Sequence, residues 1–221
     1  MKKIISFCIW GKNPKYVKGA IENLKLQKEF YPDWVCRFYI HDSVPAGTKE
    51  ALIEGGAEVV EKHDNIILDK YSTGGINLGW FWRFEVLNDT DVERFIVRDT
   101  DSRLSKREVV CVKDWERSGK KFHIIRDNRM HGVRVLAGTW GATKDFSVDY
   151  KALYEKFVKE NPTNNAIHGG YDQFFLSTVI YPMIKNDVCI HDNYHFFKEE
   201  KVRPVPYITI NGEFIGKDYE V

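Results

Sequence analysis

The first hundred residues alternate short apolar runs with segments of helical spacing, and this alternation confines the chain to a small group of folds. Residues 3–10 form an apolar run closed by Gly11, the pattern of a buried strand. Pro14 then opens a segment to about residue 29 in which Tyr16, Ala20 and Leu24 recur at helical spacing. The same reading predicts strands at 34–40, 57–60 and 94–97 and helices at 46–54 and 78–87. Gly55 and Gly56 turn the chain into the third strand, while Gly74 and Gly75 fall in a looser stretch. Strands joined through helices pair in parallel, and ligands of such sheets bind beyond the carboxyl ends of the strands.

The second half is less regular. Ser105 and Glu108 have the spacing of a capping box, opening a helix toward Ser118 and Gly119. Strands are expected at 122–125, 135–142 and 188–190, and helices at 148–159 and 171–181, the last halted by Pro182. Pro204 and Pro206 mark extended chain in the mixed segment 198–221. No repeat, low-complexity tract or linker divides the sequence, so the expected organisation is one α/β domain over 1–221, with a mostly parallel central sheet flanked by helices.

Composition narrows the function. Hydrophobic residues at 43% and charged ones at 29% describe a globular protein, not a disordered one. A net charge of +1 provides no field to draw the chain onto nucleic acid or anionic lipid, so no nucleic-acid partner is expected. Cys8, Cys36, Cys111 and Cys189 are widely spaced with no CxxC pair, and read as buried, reduced thiols. The apolar run ending at Trp10 is too short to span a membrane and has no small-residue cleavage site; with no transmembrane segment expected, the expected location is cytoplasmic.

The chemistry concentrates after the fourth expected strand. Asp99 and Asp101 are two apart, so in extended chain both carboxylates project to one side, toward the crevice beyond the strand end. Oxygen-only ligation suits Mg²⁺ or Mn²⁺, which keep waters or phosphate oxygens in their shell; a diphosphate would complete it. Arg98 and Arg103 flank the pair, placed either to steer an anionic donor or to neutralise the carboxylates.

The segment from Ile96 to Arg103, with Phe81, Trp82, Arg83 and Phe84 upstream, resembles the DxD region of GT-A-fold glycosyltransferases. The stretches Gly138-Thr139-Trp140-Gly141 and Gly170-Tyr171-Asp172-Gln173 are similar to donor-sugar segments of small bacterial and viral members, among them chlorovirus capsid glycosyltransferases. The resemblance spans roughly residues 3–216. It implies a UDP- or GDP-sugar donor, Mn²⁺ or Mg²⁺ as cofactor, and transfer to a hydroxyl of a glycan or glycoconjugate acceptor. About 1–103 would then hold the nucleotide, and about 104–221 the donor sugar and acceptor.

Carried over residue by residue, Asp101 matches the direct metal ligand, and Asp99 a ligand of ribose or metal through water. Arg83 matches an arginine near the donor, or is a surface helix arginine. Trp80, Phe81, Trp82 and Phe84 read as core in preference to a base-stacking platform. Ile9, Trp10 and Gly11 stand where this fold receives the nucleotide base, although core packing explains Ile9 equally well. Gly138 and Trp140 combine a small residue that admits a sugar with an indole able to stack on a pyranose, or form a tight structural turn. Asp172, at an expected helix start, either caps the dipole or reaches the reacting hydroxyl as a catalytic group, and Gln173 has groups to hold sugar hydroxyls. Of the seven histidines, His191 matches a late histidine metal ligand of some relatives, without the fuller His-x-x-Gly-x-x-Lys pattern; Asp192 and His195 are weaker candidates.

Three other functions compete. A nucleotidyltransferase would show a Gly-rich triphosphate loop after the first strand, where residues 11–14 supply a single glycine. A carbohydrate-binding module needs Trp140 and Tyr171 but not convergent acidic residues, and a metal-dependent nucleotide-sugar hydrolase needs no acceptor. The expected reaction is glycosyl transfer, with inversion favoured over retention.

Overall fold

The computed structural model describes residues 1–63, 78–146, 148–161, 170–206 and 212–220; Gly74 and Gly75 lie outside them. The strands are β1 (Lys2–Ile9), β2 (Val35–His41), β3 (Glu58–Lys62), β4 (Val92–Val97), β5 (Phe122–Arg126), β6 (Trp140–Thr143), β7 (Val188–Asp192) and β8 (Val202–Arg203). They form one sheet in the order β3-β2-β1-β4-β6-β5-β7-β8. β1 pairs in parallel with β2 and β4, and β5 with β7; β6 runs antiparallel to both β4 and β5.

β1 shows why the sheet is covered on both sides. Ile5, Phe7 and Ile9 point one way into a core built with Ala20 and Leu24 of α1 (Pro14–Phe30), Leu52 of α2 (Ala46–Glu54) and Val112 and Trp115 of α3 (Lys106–Ser118). Ile4 points the other way, into an aromatic core with Phe81, Phe84 and Trp140. Between them, the buried Ser6 hydroxyl donates to the Arg83 carbonyl at 2.6 Å, tying the strand to the segment that carries Arg83. That segment, Leu78–Asn88, is the expected helix, wound as a 3₁₀ helix. With three residues per turn, Phe81 and Phe84 fall on one stripe and both enter the aromatic core.

Three expectations are corrected. Of the strand expected at 135–142, only Trp140–Thr143 forms; the residues before it turn, with the Thr139 amide donating to the Leu136 carbonyl at 3.4 Å. Pro182 does not halt its helix. The chain passes from α5 (Tyr171–Phe175) through a π-helical turn (Leu176–Ile180) into α6 (Tyr181–Ile184), whose first turn accommodates the proline because no intrahelical N–H bond is needed there. The capping box is half formed: the Ser105 hydroxyl accepts from the Glu108 amide at 3.3 Å, but the Glu108 carboxylate is drawn inward to Arg98 Nε at 2.9 Å. The remaining helix, α4 (Tyr150–Glu160), lies against the 3₁₀ segment through Tyr154 and Phe157 on Phe81.

Candidate active site

β1 and β4 lie side by side, yet the chain leaves β1 toward β2 and β4 toward the opposite half of the sheet. Such a reversal of strand order opens a crevice at the carboxyl ends, and the acidic motif follows β4 directly into it. The Arg98 amide extends the pairing by donating to the Ser6 carbonyl at 3.0 Å. The turn is then fixed from α1: the Asn23 amide group donates to the Ser102 carbonyl at 2.8 Å and its oxygen accepts from the Leu104 amide at 3.0 Å. At Gly19, a Cβ would stand 2.0 Å from the Thr100 carbonyl oxygen, so α1 approaches the turn closely enough to require glycine.

Held this way, the Asp99 carboxylate is 42% exposed and that of Asp101 18% exposed. The Arg83 guanidinium, itself buried, bonds Asp99 through Nη1 and Asp172 through Nη2, the latter at 2.9 Å. Burial works against its charge, but Asp99 and Asp172 more than compensate and hold the guanidinium protonated. Burial pushes the Asp172 carboxyl above its ordinary range, with the Asp99 charge adding to it and Arg83 opposing. Asp101 is likewise pushed up by burial and by Asp99, against the nearby Lys15.

Most of the expected residues converge here, and the exceptions have clear causes. Gly138 lies against Asp99: a Cβ at this position would fall 1.8 Å from Asp99 Oδ2. Trp10, at the carboxyl end of β1, is half-buried and edge-on to Trp82 at 6.2 Å, with Trp82 stacked on His41 at 5.8 Å. Gln173 is half-buried beside Asp172, to whose carboxylate its backbone N–H donates at 2.9 Å. The Ile9 side chain, by contrast, packs in the core, because it shares the inward face of β1 with Ile5 and Phe7.

Trp140 is no sugar platform: its indole is fully buried, stacked on Phe122 at 5.2 Å, because the first residue of β6 faces the aromatic core. His191 is separated from the motif, since β7 lies three strands from β4, about 14 Å across the sheet. Its nitrogens engage His123 and Asp114 instead, so it is not placed to share a metal with Asp101. Asp192 is bound to the buried Arg126, and His195 faces the Asn128 carbonyl at 3.1 Å. Arg98 points inward to Glu108, and Arg103 braces the turn by donating to the Ser102 carbonyl at 2.8 Å, so neither stands as a donor-steering cation.

The sequence reading missed Lys15 and the segment 212–220. Lys15 Nζ lies 3.3 Å from Asp101 and 2.9 Å from Asp218, while the Tyr219 amide donates to the Asp101 carbonyl at 2.9 Å. One signal was available: α1 carries no acid in its first turn, and a lysine there opposes the helix dipole unless carboxylates face it. The partners in 212–220 are too distant in sequence to be found by spacing.

No protein-family model and no curated protein matches the sequence. Solved structures do. A glycosyltransferase involved in the glycosylation of the major capsid of PBCV-1 superposes with a TM-score of 0.53 at 14% identity, over 87% of this chain and 82% of that one. The galactosyltransferase LgtC, in complex with donor and acceptor sugar analogues, gives 0.53 at 14% identity over 86% and 73%. Glucosyl-3-phosphoglycerate synthase from Mycobacterium tuberculosis, in complex with Mn²⁺ and UDP-glucose, gives 0.52 at 12% identity over 92% and 72%. The architecture, the strand order and these superpositions together give the chain the GT-A fold of nucleotide-sugar glycosyltransferases.

Proposed function

We propose that this protein is a glycosyltransferase that moves a sugar from a nucleotide-diphosphate donor, a UDP- or GDP-sugar, to a hydroxyl of a glycan or glycoconjugate acceptor. The observation that carries the reading is the run of contacts from Asp99 through Arg83 to Asp172, at the carboxyl ends of β1 and β4 where strand order reverses. On this reading residues up to about 103 hold the nucleotide, with Trp10 at the base. Those from about 104 hold the sugar and acceptor, with Gly138 leaving room beside Asp99 and Gln173 bonding sugar hydroxyls. The free, buried thiols suit a reducing compartment, and the cytoplasm is the proposed setting.

Asp99 and Asp101 fit a hard divalent cation. They offer oxygen donors alone; the Asp101 carboxyl is pushed up by burial first and by the Asp99 charge second, and a cation between the two would relieve both. Mn²⁺ or Mg²⁺ held there would neutralise the charge of the departing diphosphate. Arg83, kept charged by its two carboxylates, orients both side chains and presents a fixed positive charge to the crevice. Asp172 then takes the proton of the acceptor hydroxyl in a single displacement with inversion, a task for which burial raises its affinity for protons.

The ion pair between Arg83 and Asp172 also favours a second reading, retention of configuration with Asp172 orienting the donor sugar, because a guanidinium on the carboxylate opposes proton uptake. NMR of the product's anomeric configuration separates the two. Under either, EDTA abolishes transfer, Mn²⁺ or Mg²⁺ restores it, and Asp101→Asn weakens donor binding; full activity in chelator would sink metal dependence.

A further inference from the structure

Away from the crevice, α3 and β7 bring together three side chains of different ligand chemistry. Cys189 and His191 are two apart on β7 and so share a face, and that face meets Asp114 of α3. A carboxylate oxygen, a thiol sulfur and an imidazole nitrogen from these residues all lie within 4.8 Å of one another. His191 Nε2 is 3.1 Å from Asp114 Oδ2, close to the roughly 3.4 Å that separates two ligands each about 2.1 Å from a tetrahedral zinc. Cys189 and His191 are buried while the Asp114 side chain is 36% exposed, so the cluster is enclosed on the sheet side and open toward solvent on one.

The surroundings are those of a ligating histidine. His191 Nδ1 sits 2.9 Å from Nε2 of the buried His123, whose ring is stacked on Trp115 at 5.1 Å. A metal-bound imidazole needs an acceptor for its other N–H to fix ring and tautomer, and His123 is placed to be one. Arg203 reaches Asp114 at 2.6 Å from β8, at the solvent side of the cluster.

We propose that Asp114, Cys189 and His191 form a second metal site, which takes Zn²⁺ with water as its fourth ligand on the exposed side of Asp114. Binding releases the Cys189 thiol proton to solvent, and the charges of thiolate and carboxylate balance the ion. His191 ligates through Nε2 and donates its Nδ1 proton to His123. The donor sets divide the metals by softness: oxygen alone at Asp99 and Asp101, sulfur and nitrogen here. The site clips α3 to the outer strands of the sheet and is independent of glycosyl transfer.

Cobalt substitution tests the proposal, because thiolate coordination gives Co²⁺ a near-ultraviolet charge-transfer band. Titrating the chelator-stripped protein with Co²⁺ should raise this band to saturation at one equivalent, and Zn²⁺ should bleach it. Cys189→Ser should abolish the band, and Asp114→Asn should weaken Co²⁺ binding roughly tenfold or more, while the double change Asp99→Asn and Asp101→Asn should leave the band intact. No band in the folded wild-type protein, or a full band in Cys189→Ser, would overturn the proposal. If Cys189→Ser does not fold, Asp114→Asn decides: its side chain is partly exposed, and unchanged Co²⁺ affinity there overturns the site equally.

Discussion

Asp99 and Asp172 share one guanidinium, so substitutions around Arg83 separate binding from turnover. Asp172→Asn keeps the shape of the side chain and an acceptor oxygen for Arg83. It should preserve fold and donor affinity while lowering kcat about 10²-fold or more, as single-turnover kinetics would show; normal turnover in the folded variant removes Asp172 from the chemistry. Gly138→Ala should act differently. Its Cβ cannot coexist with Asp99 Oδ2, so the carboxylate must move and donor affinity should fall tenfold or more while the melting temperature changes little; titration calorimetry with the donor measures this. Much of this site was legible because a strand end, a two-residue spacing and a glycine each have local signatures. Trp140 and Ile9 stayed open in the sequence because an aromatic or aliphatic residue at a strand end reads alike whether it faces cleft or core. His191 misled for a related reason: its strand was visible, but the strand order that carries it away from β4 was not.

At the scale of elements, the boundaries of β1, α1, α2 and α3 follow from periodicity and caps, and the structure keeps them within a residue or two. Elsewhere periodicity is less informative. The aromatic run 78–88 is wound as a 3₁₀ helix with Phe81 and Phe84 both in the aromatic core, and β8, at two residues, is too short to leave a pattern. The same packing makes Trp140→Ala a stability change, expected to cost about 3–5 kcal/mol in denaturant unfolding, whereas Trp10→Ala, at a half-buried position, should cost far less. The buried pair of Arg98 and Glu108 joins β4's end to α3, with the Tyr31 hydroxyl donating to the same carboxylate at 3.0 Å. Glu108→Ala leaves a buried guanidinium unpaired and should cost about 3–5 kcal/mol; a loss below 1 kcal/mol in urea unfolding would show that the charge finds another partner.

Across the whole molecule, charge is divided between carboxylates that burial strains and carboxylates that partners relieve, and the two respond oppositely to pH. Asp192 is pushed up by burial, but the Tyr194 and His195 amides and Arg126 bring its carboxyl below the ordinary range. Its contribution is therefore present above the ordinary carboxylate range and lost as pH falls through its lowered value, and Asp192→Asn should flatten the acid limb of the stability profile. Asp101 and Asp172, raised by burial, have the opposite sign: they favour the fold most in acid and lose that contribution as pH rises through their raised values. On the proposed function, these carboxylates at the carboxyl ends of β1 and β4, where strand order reverses, face the donor and acceptor. The direct test is nucleoside-diphosphate release from a panel of UDP- and GDP-sugars in Mn²⁺, with and without glycan acceptors, for the wild-type protein and Asp99→Asn. If the proposed function holds, the wild type consumes at least one donor only when an acceptor is present, and the variant loses that consumption; acceptor-independent release, or equal release by the variant, would contradict it.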